Sequence, residues 1–396
     1  MRICAVTSFP PTVAGVADYG AFLVEEFARD PRVEHVTVIA DRVPGAPERE
    51  LAGRVEILRV WERDRAGIGV TLDRAIAHSR SDVAWFNIGL TMFGTGPSAA
   101  SAMVAPLAAR LRGHHTVVTL HELPAMADLT TLGIGRARGR LAGAILLRML
   151  LRANAVVVTL DRYREHLARE GRARNVTHIA HGIWEAYERA DEPSDETALV
   201  FGTFGPHKDP GIVARAVARL RSARPSLRLV VAGADHPRYP GFMARCRTVH
   251  ELDGSWRGYV PRADLPALFA DATVVVVPAR ASTGSSGVIH RAVGHGRAVL
   301  VSDLPDFRAL AKEEDLRLEW YEAGDVDALA RALATLLDDR GRREALARHN
   351  LLSLTRLAPR RTADAYLATF ARRAPIPAGA IEAHPSLFTV KPVTES

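Results

Sequence analysis

Cysteine is scarce: Cys4 and Cys246 are the two in 396 residues, and they lie far apart. That excludes a disulfide-stapled scaffold and any Cys-based metal or redox spacing, and both read as core thiols of a reducing compartment. A long apolar run is also missing. The most apolar helical stretch, Leu141–Leu151, is broken by Arg148 and flanked by Arg140 and Arg152, short of the ~20 apolar residues that span a bilayer. Met1–Ser8 reads as a short strand rather than a leader, so the expected location is the cytoplasm or the periphery of a membrane. Several catalytic signatures are absent too. Gly284-Ser285-Ser286-Gly287 is one residue short of a nucleophile elbow, and no Gly-Lys-Ser/Thr follows it. Gly94-Thr95-Gly96 runs into Pro97 rather than completing a dinucleotide fingerprint. The histidines are dispersed without metal-ligand spacing, so no metal or cofactor is expected.

What is present is a globular composition, 47% hydrophobic and 24% charged, on a chain long enough for two domains. The net charge of +7 comes from arginines spread over every helical pattern. Scattered charge of this kind argues against nucleic acid as partner. Short β-branched runs alternate with longer amphipathic segments, which predicts parallel sheets with crossover helices. Strands are expected at Arg2–Thr7, His35–Ala40, Val55–Val60, Val83–Ile88, Thr116–Leu120, Ala155–Thr159 and Val176–Ala180. Glu185–Thr197, polar and carrying Pro193, reads as a linker. The pattern then restarts at Ala198–Gly202, Leu227–Ala232, Thr273–Val277 and Ala298–Ser302. The expected fold is therefore α/β with two doubly wound Rossmann-like domains, residues 1–184 and 198–357, facing a central cleft. Residues 358–396 form a terminal helix and tail, with the helix returning toward the first domain.

Ligands of open parallel sheets bind beyond the carboxyl ends of the strands, so the loops there carry the functional expectation. The first, Ser8 to Asp18, places Gly15 just before a helix N-terminus, where backbone N–H groups attract anions. His121-Glu122 ends the Thr116–Leu120 strand, a polar pair suited to hydrogen-bonding sugar hydroxyls. Thr203 to Pro210 follows Ala198–Gly202. There Asp209 is read as an N-cap and Pro210 as the first helical residue, and Lys208 hangs at a helix mouth that suits a diphosphate. After Thr273–Val277, Gly284-Ser285-Ser286-Gly287 offers successive amides and two hydroxyls as a phosphate or sugar nest.

In this order the loops resemble the large retaining glycosyltransferase family 4 with the GT-B fold, up to about Arg373. Ser8–Gly15, Thr116–Glu122, Ile179–Ile183, Phe201–Asp209, Leu227–Gly233, Arg257–Pro261, Asp271–Pro278, Gly284–Gly287 and Gly296–Asp303 carry the resemblance. It implies a metal-independent hexosyl transfer from a UDP- or GDP-linked sugar. His121 would contact the transferred sugar, and Lys208 the diphosphate. Gly15, Thr203 and Thr283 through Gly287 would line the donor, with Tyr259 and Val260 near the base. Two departures stand out. Thr203 stands where the family has an arginine, and Thr283 and Arg291 replace the two glutamates of its Glu-x7-Glu motif, the second of which holds the ribose. A guanidinium only donates, so ribose contact falls to His290 or to backbone, and Arg291 becomes a candidate for the missing diphosphate cation. Acceptor recognition is expected in the first domain, at Asn87 and Glu122. Asn87–Thr95 and Ala125–Gly133 would line a pocket for a small soluble acceptor. The alternative is a lipid acceptor reached through Arg136, Arg138, Arg140, Arg148 and Arg152 at a membrane surface. Two rival functions remain: a non-catalytic nucleotide-sugar-binding protein, or an epimerase or phosphorylase on the same fold.

Overall fold

A computed structural model describes residues 1–94, 96–128, 136–184, 191–249, 255–281 and 284–372. The first sheet contains β1 (Arg2–Val6), β2 (His35–Asp41), β3 (Arg49–Ala52), β4 (Val55–Trp61), β5 (Val83–Ile88), β6 (His115–Leu120), β7 (Ala155–Val158) and β8 (Val176–His178). The second contains β9 (Thr197–Phe204), β10 (Arg228–Asp235), β11 (Ser255–Arg257), β12 (Val274–Val277), β13 (Ala298–Ser302) and β14 (Glu319–Tyr321). Their orders are β3-β4-β2-β1-β5-β6-β7-β8 and β11-β10-β9-β12-β13-β14. Every pairing is parallel except that of β3 with β4.

The central strands read as they pack. All four valines of β12 and all six residues of β5 are buried, as parallel strands covered on both faces require. Three edge strands escape the sequence reading: β3 (RELA), β11 (SWR) and β14 (EWY). Each has only three or four residues, and charged β3 is the kind of edge that resists pairing with another chain. The expected strand from Val176 stops at His178, and the expected linker ends before Thr197, which opens β9. Of that linker, residues 185–190 lie outside the described residues, as do residues 373–396.

One apolar cluster runs unbroken between the domains, from Val6, Phe86 and Leu120 through Ile183 to Val277, Ile289 and Val301. Each sheet's far face has its own core. The first of these is closed by the terminal helix Pro359–Ala371, whose Ala363, Tyr366, Leu367 and Phe370 repeat at helical spacing and are buried against the first domain. The Tyr366 hydroxyl sits between the Tyr19 hydroxyl at 3.1 Å and Thr119 Oγ1 at 3.0 Å. Burial of Leu367 and of Phe370 contributes about 1.5–3 kcal/mol each. The last helix thus ties the chain's end to the domain where it began.

Candidate active site

The cleft is built where the carboxyl ends of the two sheets meet. His121 follows β6 and is buried; its Nε2 lies 2.7 Å from Asn87 Oδ1. The amide orientation is fixed, because Asn87 Nδ2 donates to the Val16 carbonyl at 2.9 Å, and a carbonyl can only accept. Asn87 Oδ1 therefore faces His121, Nε2 carries the proton, and Nδ1 keeps its lone pair. Burial pushes this imidazole down to about 4, so it is neutral near pH 7. Tyr19 meets its ring edge-on at 4.9 Å. Asn87 is fully buried behind His121, so it orients the histidine rather than facing an acceptor, contrary to the sequence expectation. Glu122 accepts the Leu90 backbone N–H at 2.9 Å. Burial raises its carboxyl to about 7, and the charge of Asp306 adds to the rise.

Across the cleft, Lys208 follows β9 in a turn closed by a bridge from Gly205 to Lys208 and tied to the loop after β12 by a bridge from Lys208 to Ala279. A Cβ on Gly202 (φ +129°) would stand 3.0 Å from the Lys208 ammonium and 3.1 Å from Val288, so glycine is what lets the ammonium lie against the helix Gly287–Gly294. Among the described residues no carboxylate pairs with it, and burial lowers it to about 8. The helix that follows starts at Gly211, one residue later than expected. Pro210 takes the N-cap place, and Asp209 caps from one position earlier, accepting the Gly211 N–H at 2.9 Å.

The Gly284–Gly287 loop packs directly on the first domain. A Cβ on Gly284 (φ +78°) would fall 2.1 Å from the His121 carbonyl oxygen, and one on Gly287 would fall 2.8 Å from the Trp184 ring. The Gly284 N–H donates to Asp306 Oδ2 at 3.3 Å, Ser285 Oγ meets Thr159 Oγ1 at 3.1 Å, and Ser286 caps the helix through the Ile289 N–H. Asp306 in turn binds Arg162 and the Tyr163 hydroxyl of the first domain.

Two sequence expectations change here. His290 is buried, with Nε2 2.6 Å from Glu314 Oε2 and Nδ1 3.0 Å from the Ser286 carbonyl. Both partners only accept, so both nitrogens carry protons. Burial opposes that charge, but Glu314 outweighs it and raises the pKa. The ring stacks on His181 at 5.0 Å and leaves nothing for a ribose. Arg291 reaches into the other domain rather than toward a diphosphate: its Nη2 donates to Asp18 Oδ2 at 3.1 Å, and its guanidinium lies 4.4 Å over Trp184.

Of the other expected residues, Thr203 lies within β9, Val260 is half-buried, and Tyr259 is 62% exposed. Gly15 opens the first helix in open space. Thr283 lies outside the described residues. Asp18, Trp184, His181 and Asp306 were missed as site residues; their partners are distant in sequence, and only folding brings them together.

Residues 195–339 match the family model for glycosyl transferases group 1. No curated protein sequence matches the chain. Among solved structures, sucrose-phosphate synthase from Thermosynechococcus elongatus shares 18% identity at a TM-score of 0.74, over 94% of this chain and 99% of that one. HepE from Anabaena, in complex with UDP and glucose, shares 17% identity at 0.68, over 94% and 99%. The trehalose-6-phosphate synthase OtsA shares 12% identity at 0.69, over 95% and 100%. The chain thus has the two-domain GT-B architecture, and residues 195–339, in its second half, match glycosyl transferases group 1.

Proposed function

We propose that this GT-B chain moves a hexosyl group from a UDP- or GDP-linked sugar to a small-molecule acceptor, with retention of configuration and without a metal. The observation that carries the reading is Lys208, a largely buried cation that no carboxylate pairs with among the described residues, lying against the helix Gly287–Gly294. A diphosphate supplies the missing negative charge. In the step itself the acceptor hydroxyl attacks the anomeric carbon as the bond to the phosphate oxygen breaks, and that oxygen takes the hydroxyl proton. Lys208 and the loop amides oppose the charge growing on the leaving phosphate, usually the largest catalytic contribution. Neutral His121 accepts a hydrogen bond from a sugar hydroxyl at Nδ1. Closure of the domains keeps water from the anomeric carbon.

The test is turnover of UDP- and GDP-hexoses with an acceptor panel, read by mass spectrometry with and without EDTA, with the product's anomeric configuration read by NMR. Donor interconversion without acceptor would point to an epimerase, and nucleotide binding without any turnover to a binding protein. A lipid acceptor is the second reading, favoured by Leu141 and Ile145, 67% and 48% exposed one turn apart near exposed Arg140 and Arg148. Sedimentation with vesicles of anionic lipid separates the two.

A further inference from the structure

Two carboxylates of the second domain hold one turn of the first. Helix Pro305–Glu313 follows β13, and helix Asp161–Arg169 follows β7. Asp306 and Glu313 stand seven residues apart, on one face of their helix, and both reach the start of the other. The first N–H groups of a helix have no intrahelical partner, and Leu160 at this N-cap brings no side-chain acceptor. Glu313 provides one from the other domain: its Oε2 accepts the Asp161 N–H at 2.7 Å and its Oε1 the Arg162 N–H at 3.1 Å. A carboxylate there also suits the positive end of the helix dipole.

Asp306 does something further. It is buried, pairs with the Arg162 guanidinium, and through Oδ2 accepts both the Tyr163 hydroxyl at 2.7 Å and the Gly284 N–H at 3.3 Å. One carboxylate oxygen thus joins a first-domain side chain to the backbone of the Gly284–Gly287 loop. A second tie runs beside it, from Ser285 Oγ to Thr159 Oγ1 at 3.1 Å. Gly284 sits between Asp306, on its N–H, and the His121 carbonyl oxygen, 2.1 Å from where a Cβ would stand. Holding two domains together does not account for a buried carboxylate, because an apolar contact of the same size does so without the cost of desolvating charge. Fixing the direction of a backbone N–H does account for it, since only an acceptor can do that.

We propose that Asp306 is a positioning residue for the transfer step: it seats the Gly284–Gly287 loop against His121 once the turn at residues 159–163 has docked, so the first domain completes the donor site of the second. This role rests on the glycosyl-transfer reading. Asp306 acts through the loop rather than on the donor, and its effect falls on the step that needs the loop in place, not on nucleotide capture. Removing it leaves the second domain's grip on the nucleotide and loosens the amides that oppose charge on the leaving phosphate. A misplacement of about 1 Å at such a site costs roughly a hundredfold in rate.

The test combines turnover with hydrogen exchange on the full chain. Nucleotide release from UDP-glucose and GDP-mannose is read with water and with a panel of sugars, polyols and phenols as acceptors. Asp306→Ala should lower kcat by about a hundredfold, with donor KM within about threefold. Asp306→Asn should recover most of that loss, because its amide oxygen still accepts the Gly284 N–H and the Tyr163 hydroxyl. Tyr163→Phe, in the other domain, should lower kcat by about tenfold. Exchange is read by mass spectrometry in peptides covering residues 159–164 and 284–290. Asp306→Ala should speed both by about tenfold, and Glu313→Gln only the first, since the Glu313 bonds run to Asp161 and Arg162. Unchanged kcat in Asp306→Ala, a loss confined to KM, or no recovery in Asp306→Asn would overturn the proposal. So would equal loosening of the loop in Glu313→Gln, which makes loop order a general result of domain contact. A wild type that releases neither nucleotide sinks the glycosyl-transfer reading instead, and the exchange arm still decides whether Asp306 orders the loop. If Asp306→Ala does not fold, Tyr163→Phe keeps the ring and the test: wild-type kcat and loop exchange in that variant would refute the role.

Discussion

Lys208→Met should make the protein more stable and nearly inactive. Burial lowers the Lys208 ammonium from 10.5 to about 8. Folded Lys208 therefore holds its proton more weakly than the unfolded chain does. Below pH 8 both states are charged, and the folded one bears the whole cost of the buried cation. Between pH 8 and 10.5 the unfolded state binds more protons, so stability rises with pH across that window. At 1.36 kcal/mol per unit the cost is about 3 kcal/mol, an upper figure because the residue keeps some exposure. Methionine keeps the stem and removes the charge. Urea denaturation should then show the variant more stable by up to about 3 kcal/mol at pH 7 and close to wild type at pH 10.5. Turnover should move the other way. A unit charge ~4 Å from the leaving phosphate at an effective dielectric of ~20 is worth about 4 kcal/mol, or roughly three orders of magnitude in rate. Donor affinity should also fall by about tenfold per pH unit above 8 in the wild type, because the bound diphosphate favours the protonated amine. A variant that is less stable at pH 7, or a stability difference that does not change with pH, would refute this account of Lys208.

Three further outcomes test the site. Asn87→Leu should lower turnover by about a hundredfold, with donor KM within twofold, because His121 loses the acceptor that fixes its tautomer. A loss confined to KM would contradict the orienting role. Glu122, raised from 4.5 to about 7 mainly by burial, costs stability as pH rises through that window, so Glu122→Gln should gain about 3 kcal/mol at pH 8 and nothing at pH 4.5. Thermal melts at the two pH values decide it. Asp18→Asn and Arg291→Leu should be coupled by about 0.5–1 kcal/mol in a double-mutant cycle, modest because Asp18 is part-exposed; strict additivity would mean that the pair does no work.

Much of the architecture was legible because parallel strands buried on both faces are written as short apolar runs, and Val274–Val277 is the plainest case. β3, β11 and β14 were not, because an edge strand owes its existence to the neighbour it pairs with and three or four residues of mixed polarity are too few to show a period of their own. The cleft loops were legible by position, since each follows a strand. The direction in which their side chains point was not. Asn87 did leave a signal: it is the one polar residue in the β5 run VAWFNI, and a lone amide in a strand covered on both faces must have a partner to bind. Arg291 left none that was correctly read, because Asp18 lies 273 residues away.

The helix Gly287–Gly294 has only two polar side chains, His290 and Arg291; the fold engages the first inside the second domain and the second across to the first. His290 donates both N–H groups to Glu314 and Ser286, and Arg291 donates to Asp18 while covering Trp184. Neither accepts a hydrogen bond, so this helix offers no side-chain acceptor to ribose hydroxyls. A site that does bond a substrate hydroxyl rejects the analogue lacking it by about 10⁴-fold or more, because its own polar groups are left unpaired. Here removal of the ribose hydroxyl leaves no such group stranded on the helix. Calorimetry should therefore find UDP and 2′-deoxy-UDP binding within about tenfold of each other. A preference of several thousandfold for UDP would mean that an acceptor outside this helix holds the ribose.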